Sequence, residues 1–410
     1  MPSKSAILDA MQFTSFRDTN PINTTGSPRF QLTFQFETSQ PPDLTKNYEQ
    51  FSGWTAFSSG EKAAIRSALK YVETFLNVKF VEVSGSSDPD INFGSVSIPG
   101  STAGYGGMEM SQTGGAAPHD ILSYDGFAVY DKTIDISSGQ QHLILHEILH
   151  ALGLQHPFND GYAGETTLPA KYENGHYSIM SYDADPISGK DNNSAMLYDI
   201  FALQDIWGTA KAKTGDTKYT GRAGNDVLVI WDTKGVDALD ASAKNSKVKL
   251  DLRDGHFSKF GSYEDVAIAY GVNIENAFGG KKADSITGNN KANTIKGNGG
   301  NDKIKAMGGN DTVRGGGGKD TVDGGTGNDN LYGNSSADTF VYAKKYDKDV
   351  IRDFQNNTDV LQISNLGSKA NVLSHASNVN GNVKFDFGNG DTLTVNNITK
   401  AQIQDDLLVV

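Results

Sequence analysis

The sequence predicts two unlike parts in one chain: an α+β domain, a twisted sheet with a long histidine-bearing helix, followed by an all-β parallel β-roll. Three observations carry this reading. The string HEILHALGLQH at 146–156 places ligand-type side chains on one helical face. The stretch before it alternates between period-2 and period-3.6 apolar patterns. Seven nine-residue units then run without a slip from Gly279 to Val341, in the half that holds most of the 46 glycines. A chain of 410 residues is long enough for two separate cores. The boundaries expected are 21–213 for the first domain and 214–410 for the second; residues 1–20 are open to two readings, a short propeptide or ordinary structure.

In chain order, Phe30 to Phe36 alternates as a strand and Ser59 to Phe75 reads as an amphipathic helix; Val78 to Val83 and Asp90 to Phe93 read as further strands. This suits a sheet flanked by two main helices. Ser138 and Gln141 have the spacing of a capping box at the start of the second helix. The run Ala103 to Met108 follows the strand-like DINFG and is the expected edge strand for pairing with an extended peptide.

Within the helix, His146 and His150 stand four residues apart on one face, where two imidazoles can bind one zinc ion while Glu147 points at an open coordination position. Gly153 lets the backbone leave the helix, so that His156 returns as a third ligand and a position stays open for water. An ordinary amphipathic helix, with Leu145, Ile148, Leu149 and Leu152 buried, is the competing account. Five specified positions at ~1/20 each give roughly one chance in ten thousand for this length, which favours the metal. His142, one turn earlier, reads as a solvated or supporting residue.

Each nine-residue unit carries an acid or Asn at its sixth position (Asp284, Asn293, Asp302, Asp311, Asp320, Asp329, Asp338) and a large apolar residue at its eighth (Ile286, Ile295, Ile304, Val313, Val322, Leu331, Phe340). Glycines in the first four positions allow a tight turn with inward carbonyls; with the carboxylate they make an all-oxygen shell suited to Ca²⁺. The eighth residue points into a thin core, one turn of the roll taking two units. Candidate ligands are Gly297, Asn298, Gly299, Gly300 and Asp302; Met307, Gly309 and Asp311; Gly315, Gly316, Gly317, Gly318 and Asp320; Gly324, Thr326 and Asp329; Gly333, Ser335 and Asp338. Asn293, with Asn289 and Lys291, makes the second unit a poor site. So thin a core does not outweigh backbone entropy alone, and calcium is expected to drive its folding. A flexible linker would have no reason to repeat an apolar residue at every eighth position.

The net charge of −13 argues against nucleic acid or an anionic membrane as partner. No stretch approaches the ~20 apolar residues of a membrane span, and MPSKSAILDAMQF lacks the build of a secretory signal peptide. The absence of cysteine fits the cytoplasm, and equally an exported chain stapled by something other than disulfides.

With HEILHALGLQH, the downstream SIMSY at 178–182 and calcium-type nonapeptides together, the chain resembles the serralysin metalloproteases, secreted members of the metzincins. The resemblance implies a broad-specificity zinc endopeptidase acting on extracellular proteins, with one Zn²⁺ on His146, His150 and His156 and several structural Ca²⁺. It implies Glu147 as general base and acid, Met180 as an apolar floor beneath the metal, and Tyr182 as a residue that ligates the resting zinc and swings away to bind the reaction intermediate. At KTGDT, WDTKGVD and GVNIENAFGG it implies further calcium ligands: Lys213, Gly215, Thr217, Asp232, Gly235, Asp237, Asn273 and Glu275. GRAGNDVLV at Gly221 resembles a lone nonapeptide. The ending Asp406, Leu407, Leu408, Val409, Val410 is a last strand in a generic protein; in this family the like ending is an uncleaved signal for type I export. The family further implies protein and peptide substrates, passage through the type I secretion apparatus, a dedicated protein inhibitor and a monomer. Two other accounts stand beside it: a calcium-dependent adhesin or toxin of the same repeat class with a binding module in front, and a cytoplasmic peptidase with a structural β-solenoid.

Overall fold

The structure, a computed structural model, describes residues 1–13, 29–41, 51–112, 121–158, 166–187, 189, 192–211, 215–221 and 227–410. The chain divides into two compact units, one of 1–212 with 225–231 and one of 213–224 with 232–410.

The first unit holds a six-stranded sheet of β1 (Phe30–Phe36), β2 (Ser52–Thr55), β3 (Val78–Glu82), β4 (Ile91–Ser97), β5 (Gly104–Gln112) and β6 (Ile121–Asp131), in the order β3-β1-β4-β6-β5, with β2 on the far end of β4. The β1, β3, β4 and β6 pairs are parallel, whereas β5 runs antiparallel to β6 at the edge, so the run expected to be an edge strand is one. Among the described residues four helices accompany the sheet: α1 (Lys4–Met11), α2 (Ser59–Val72), α3 (Gln141–Ala151) and α4 (Leu197–Trp207). Two of these go beyond the expected pair. In α4, LYDIFALQDIW is apolar almost all round and nine of its eleven residues are buried, so it has no polar face to betray a helical period.

Local signals explain the element ends. Ser58 and Glu61 close a reciprocal capping box at the start of α2, which buries Ile65, Ala68, Leu69 and Val72. The helix stops at Val72, short of the expected Phe75, because Thr74 and Phe75 turn back in i→i−3 bonds. Strand β4 runs four residues beyond Phe93. It is central, parallel and buried along nearly its whole length, so it lacks the alternation that would mark its full extent. The capping box expected from Ser138 and Gln141 does not form: α3 starts after Gln140 with no side-chain cap, and Gly139, at φ +72°, turns the chain before the helix. Helix α3 is instead held to β6, where Tyr130 Oη donates to the Ile144 carbonyl at 3.2 Å and Tyr124 Oη to that of Ala151.

Residues 1–13, within the stretch left open between propeptide and ordinary structure, bury Ile7, Ala10 and Met11. Gln12 bridges to Leu154, Gln155 N–H donates to the Met11 carbonyl at 2.8 Å, and Phe13 N–H to that of Gly153 at 3.1 Å, so this segment pins the chain just after the zinc-type helix.

The second unit is a two-sheeted parallel roll. Strands 276–278, 294–299, 312–317 and 330–335 stack in one sheet; 285–287, 303–305, 321–323 and 339–343 stack in the other. The registers Ile295↔Val313↔Leu331 and Ile286↔Ile304↔Val322↔Phe340 step by eighteen residues, two units per turn, and all these side chains are buried. Stacking continues past Val341 through 348–351, 360–364 and 392–395, and Leu407–Val409 adds a parallel strand to 360–364. The C-terminal apolar run is therefore the last rung of one sheet, with Leu407 buried and Leu408 exposed.

Candidate metal centre and oxygen ladder

Helix α3 presents His146 and His150 one turn apart and both buried. At Gly153 the backbone takes φ +106°, a conformation open to glycine, and His156 comes back over the helix. His156 Nε2 then lies 3.1 Å from His146 Nε2 and 3.0 Å from His150 Nε2, and the three ligand atoms fall within 4.8 Å of one another. Tetrahedral nitrogen ligands at about 2.05 Å from zinc stand roughly 3.3 Å apart, so the three side chains fit that ion as they are. Main-chain carbonyls hold the far side of two rings. His146 Nδ1 meets Ile179 O at 2.9 Å and His150 Nδ1 meets Leu154 O at 2.7 Å, which places the proton on Nδ1 and leaves the Nε2 lone pairs facing inward. Burial drives the His146 imidazolium down to about 3 and that of His150 well below its ordinary value, keeping both in the neutral form that binds metal.

Glu147 is buried beside this cluster, and desolvation raises its carboxyl to about 8. Two glycines of β5 make room for it. A Cβ on Gly106 would lie 2.3 Å from the Glu147 carbonyl oxygen and 2.8 Å from His150 Cβ; one on Gly104 would lie 2.8 Å from Glu147 Oε1. The two positions should respond differently to alanine. Gly106→Ala meets backbone that cannot yield without moving α3, and should cost about 1–3 kcal/mol in denaturant unfolding. Gly104→Ala meets the Glu147 side chain from Cγ to Oε1, which can give where backbone cannot, and should cost less, about 1 kcal/mol or under; equal losses at both would refute this seating of the helix.

The 178–182 segment closes the other side. Met180 is fully buried, while Tyr182, 69% exposed, sets its ring 5.9 Å from that of His146 and 4.6 Å from that of His156, with Phe158 stacked on His156 at 4.8 Å. His142 is not in the cluster: its Nδ1 lies 3.0 Å from the Asn192 carbonyl.

In the roll, the sixth-position acids form a ladder. The N–H groups of Asp302, Asp311 and Asp320 donate to Oδ1 of the acid eighteen residues on, Asp320, Asp329 and Asp338, at 2.8, 2.8 and 2.9 Å. The other oxygen, Oδ2, of Asp302, Asp311, Asp320, Asp329 and Asp338 is buried and has no hydrogen-bond partner. Burial raises these carboxyls to about 7, 8, 6, 6 and 7 respectively. A Cβ on Gly297 would lie 2.3 Å from Asp302 Oδ2 and 2.4 Å from the Gly315 carbonyl; Gly315, Gly324 and Gly333 repeat this approach to Asp320, Asp329 and Asp338. Orphaned carboxylate oxygens converging with carbonyls make a donor set suited to calcium.

The first two units differ. Asp284 spends both oxygens on N–H groups, of Val248 and Gly280, and Asn293 Nδ2 donates to Asn289 Oδ1 where a cation would otherwise be needed. Two members of the ladder lie outside the repeat register: Asp359 accepts the Asp338 N–H at 2.9 Å and spends its other oxygen on the Gln355 N–H, and Asp349 accepts the Asp329 N–H at 3.0 Å with its Oδ2 buried and unpartnered. The acid-x-aliphatic triplet of the units recurs there as Asp349-Val350-Ile351, and this signal could have found it.

The carried-over positions at 215–275 also converge. Thr217 N–H donates to Asp237 Oδ1 and Asp237 N–H to Glu275 Oε2, both at 2.8 Å; Asn273 donates to Glu275, and Gly235 packs on the Gly215 carbonyl. Asp232 accepts from Tyr219 Oη at 2.7 Å. Lys213 lies outside the described residues, as does most of the lone nonapeptide after Gly221. No helix among the described residues is long and apolar enough to cross a membrane.

A family model described as Peptidase M10 serralysin C terminal matches residues 204–409. The metallopeptidase AprA of Pseudomonas marginalis is 31% identical over 300 residues, 64% of this chain and 60% of that protein. A serralysin of Photorhabdus laumondii is 31% identical over 294 residues, 63% and 58%, and serralysin A of Dickeya chrysanthemi is 30% identical over 259 residues, 57% and 54%. The chain thus spans somewhat under two thirds of the length of these relatives.

Proposed function

The chain belongs to the peptidase M10 serralysin family, and on that premise we propose that it is a secreted zinc endopeptidase of broad specificity, folded and stabilised by calcium in its C-terminal roll. The observation that carries the reading is the convergence of three imidazole Nε2 atoms beside a buried glutamate. In this reading the first unit is a metzincin catalytic domain.

His146, His150 and His156 would hold zinc, which supplies Lewis-acid polarisation of the scissile carbonyl and acidifies a water molecule. Glu147, the only acid on the inner face of α3, takes the proton of that water and delivers it to the leaving amine. Tyr182, exposed at the rim beside His146 and His156, would donate a hydrogen bond to the developing oxyanion, and Met180 floors the site. An extended substrate pairs with the outer side of β5, which places its scissile bond over α3.

The roll ties activity to compartment. In low cytosolic calcium its orphaned carboxylates repel and the stack stays unfolded, which suits threading through a type I apparatus; external calcium then completes the fold. The substrates are extracellular proteins and peptides, and a dedicated protein inhibitor in the producing cell fits such a protease.

Hydrolysis of dye-labelled casein tests the reading. Activity should fall at least ~100-fold on zinc chelation and return on adding zinc. Absence of hydrolysis in calcium and zinc together would favour a repeat-bearing adhesin.

A further inference from the structure

We propose that Asp199, on α4, is a positioning residue that sets the tautomer of His146 through the 178–180 backbone. The proposal rests on the zinc reading above. Asp199 is fully buried, and its carboxylate takes three hydrogen bonds: from Ser178 Oγ at 2.6 Å, from Ile179 N–H at 2.8 Å and from Met196 N–H at 2.8 Å. The first two come from the segment that faces His146, and the third from the start of its own helix, where the helix dipole favours a negative charge.

The linkage turns on one peptide group. The Ile179 carbonyl and the Met180 N–H belong to the same rigid plane. The N–H end is held by Ser178 Oγ at 3.0 Å, and the C=O end faces His146 Nδ1 at 2.9 Å. Ser178 can accept from Met180 in that direction because its own proton is committed to Asp199. With the plane so fixed, an acceptor faces Nδ1, the ring proton stays there, and Nε2 keeps its lone pair for metal. A rotated plane would turn an N–H toward Nδ1, place the ring proton on Nε2, and remove His146 from the ligand set. His150 is independent of this device, since its Nδ1 is held by Leu154 O. The expected effect is therefore one-sided.

An amide at 199 keeps the shape but replaces one acceptor with a donor, so Ser178 must turn its proton away and accept from the amide as well as from Met180, which loosens the hold on the Met180 N–H. Zinc affinity, by competition with a chromogenic chelator, should fall about 10- to 100-fold in Asp199→Asn. In the zinc-free chain labelled with ¹⁵N-histidine, an Nε2–H signal should appear for His146 while His150 keeps Nδ1–H. Ser178→Ala leaves the Ile179 and Met196 bonds in place, and should show the same one-sided change to a smaller degree; it decides the matter if Asp199→Asn does not fold. Zinc affinity within twofold of the parent and an unchanged His146 tautomer would overturn the proposal, whatever happens to thermal stability. Failure of the parent chain itself to bind zinc would instead overturn the functional reading on which it rests.

Discussion

Glu147→Gln should lower kcat/KM on a peptide substrate by about 10²- to 10⁴-fold while zinc content and fold remain intact. The amide has the size of the acid and lies on the same helical face, so it leaves the three histidines and their carbonyl partners undisturbed. What it lacks is the ability to take a proton. Stability should move the other way. In the zinc-free chain the folded carboxyl titrates at about 8, well above its ordinary 4.5, because burial disfavours the charge. A raised folded pKa means that its stabilising share is complete below pH ~4.5 and is lost as pH rises through 8. The glutamine variant has no such loss, and its zinc-free form should melt at or above the parent at pH 9. Retained turnover would remove Glu147 from the mechanism. A variant that loses both turnover and zinc would assign it a structural part instead.

The zinc-type string was legible because its chemistry is local. His146, Glu147 and His150 are placed by one helical period, and His156 by one glycine turn, so no long-range packing had to be known. Roll architecture was legible for a related reason: the register of eighteen repeats a pattern written in every unit. Elements whose burial is complete were harder to see. Helix α4 and the far half of β4 are buried on nearly all sides and carry no clear apolar period, and they became visible only through what they pack against.

The supporting parts of the site were hidden for a further reason, since they depend on contacts between distant segments. Nothing in the order of residues says that Gly104 and Gly106 underlie Glu147 and His150. Nor does it say that Asp199 reaches the segment before Met180. The false capping box at Ser138 shows the converse error: the spacing was right, but Gly139 bends the chain so that Gln140 begins the helix without a side-chain bond. In the roll, sequence identified the acids, but only the hydrogen bonds separate Asp284, fully satisfied by backbone N–H groups, from Asp302, which has an oxygen to spare.

That separation leads to the second large effect. Removing calcium should unfold the roll at pH 8 and leave it considerably more protected at pH 5. The buried carboxyls of Asp302, Asp311, Asp320, Asp329 and Asp338 sit at about 6 to 8, and burial beside Asp329 lifts Asp349 to about 9. All exceed the unfolded value near 3.9, so the folded roll binds more protons than the unfolded chain between pH ~4 and 8. Its calcium-free stability is therefore greatest below that window and is lost on the way up. A proton neutralises the orphaned oxygen at low pH; calcium must do so at high pH. The two compete for the same atoms, so the affinity of the folded roll for calcium should weaken as pH falls from 8 to 6, while the calcium concentration at half-folding falls over the same range because protons already supply part of the stabilisation. Hydrogen exchange of peptides from 294–343, with chelator and with graded calcium at pH 5, 6.5 and 8, reads both effects within the roll itself. Exchange in chelator as fast at pH 5 as at pH 8, after correction for the intrinsic rate, would mean that these carboxylates do not control the fold. Asp284 and Asn293 supply an internal control. Their side chains are satisfied without a cation, so peptides covering 280–293 should remain less sensitive to calcium than those covering 302–338.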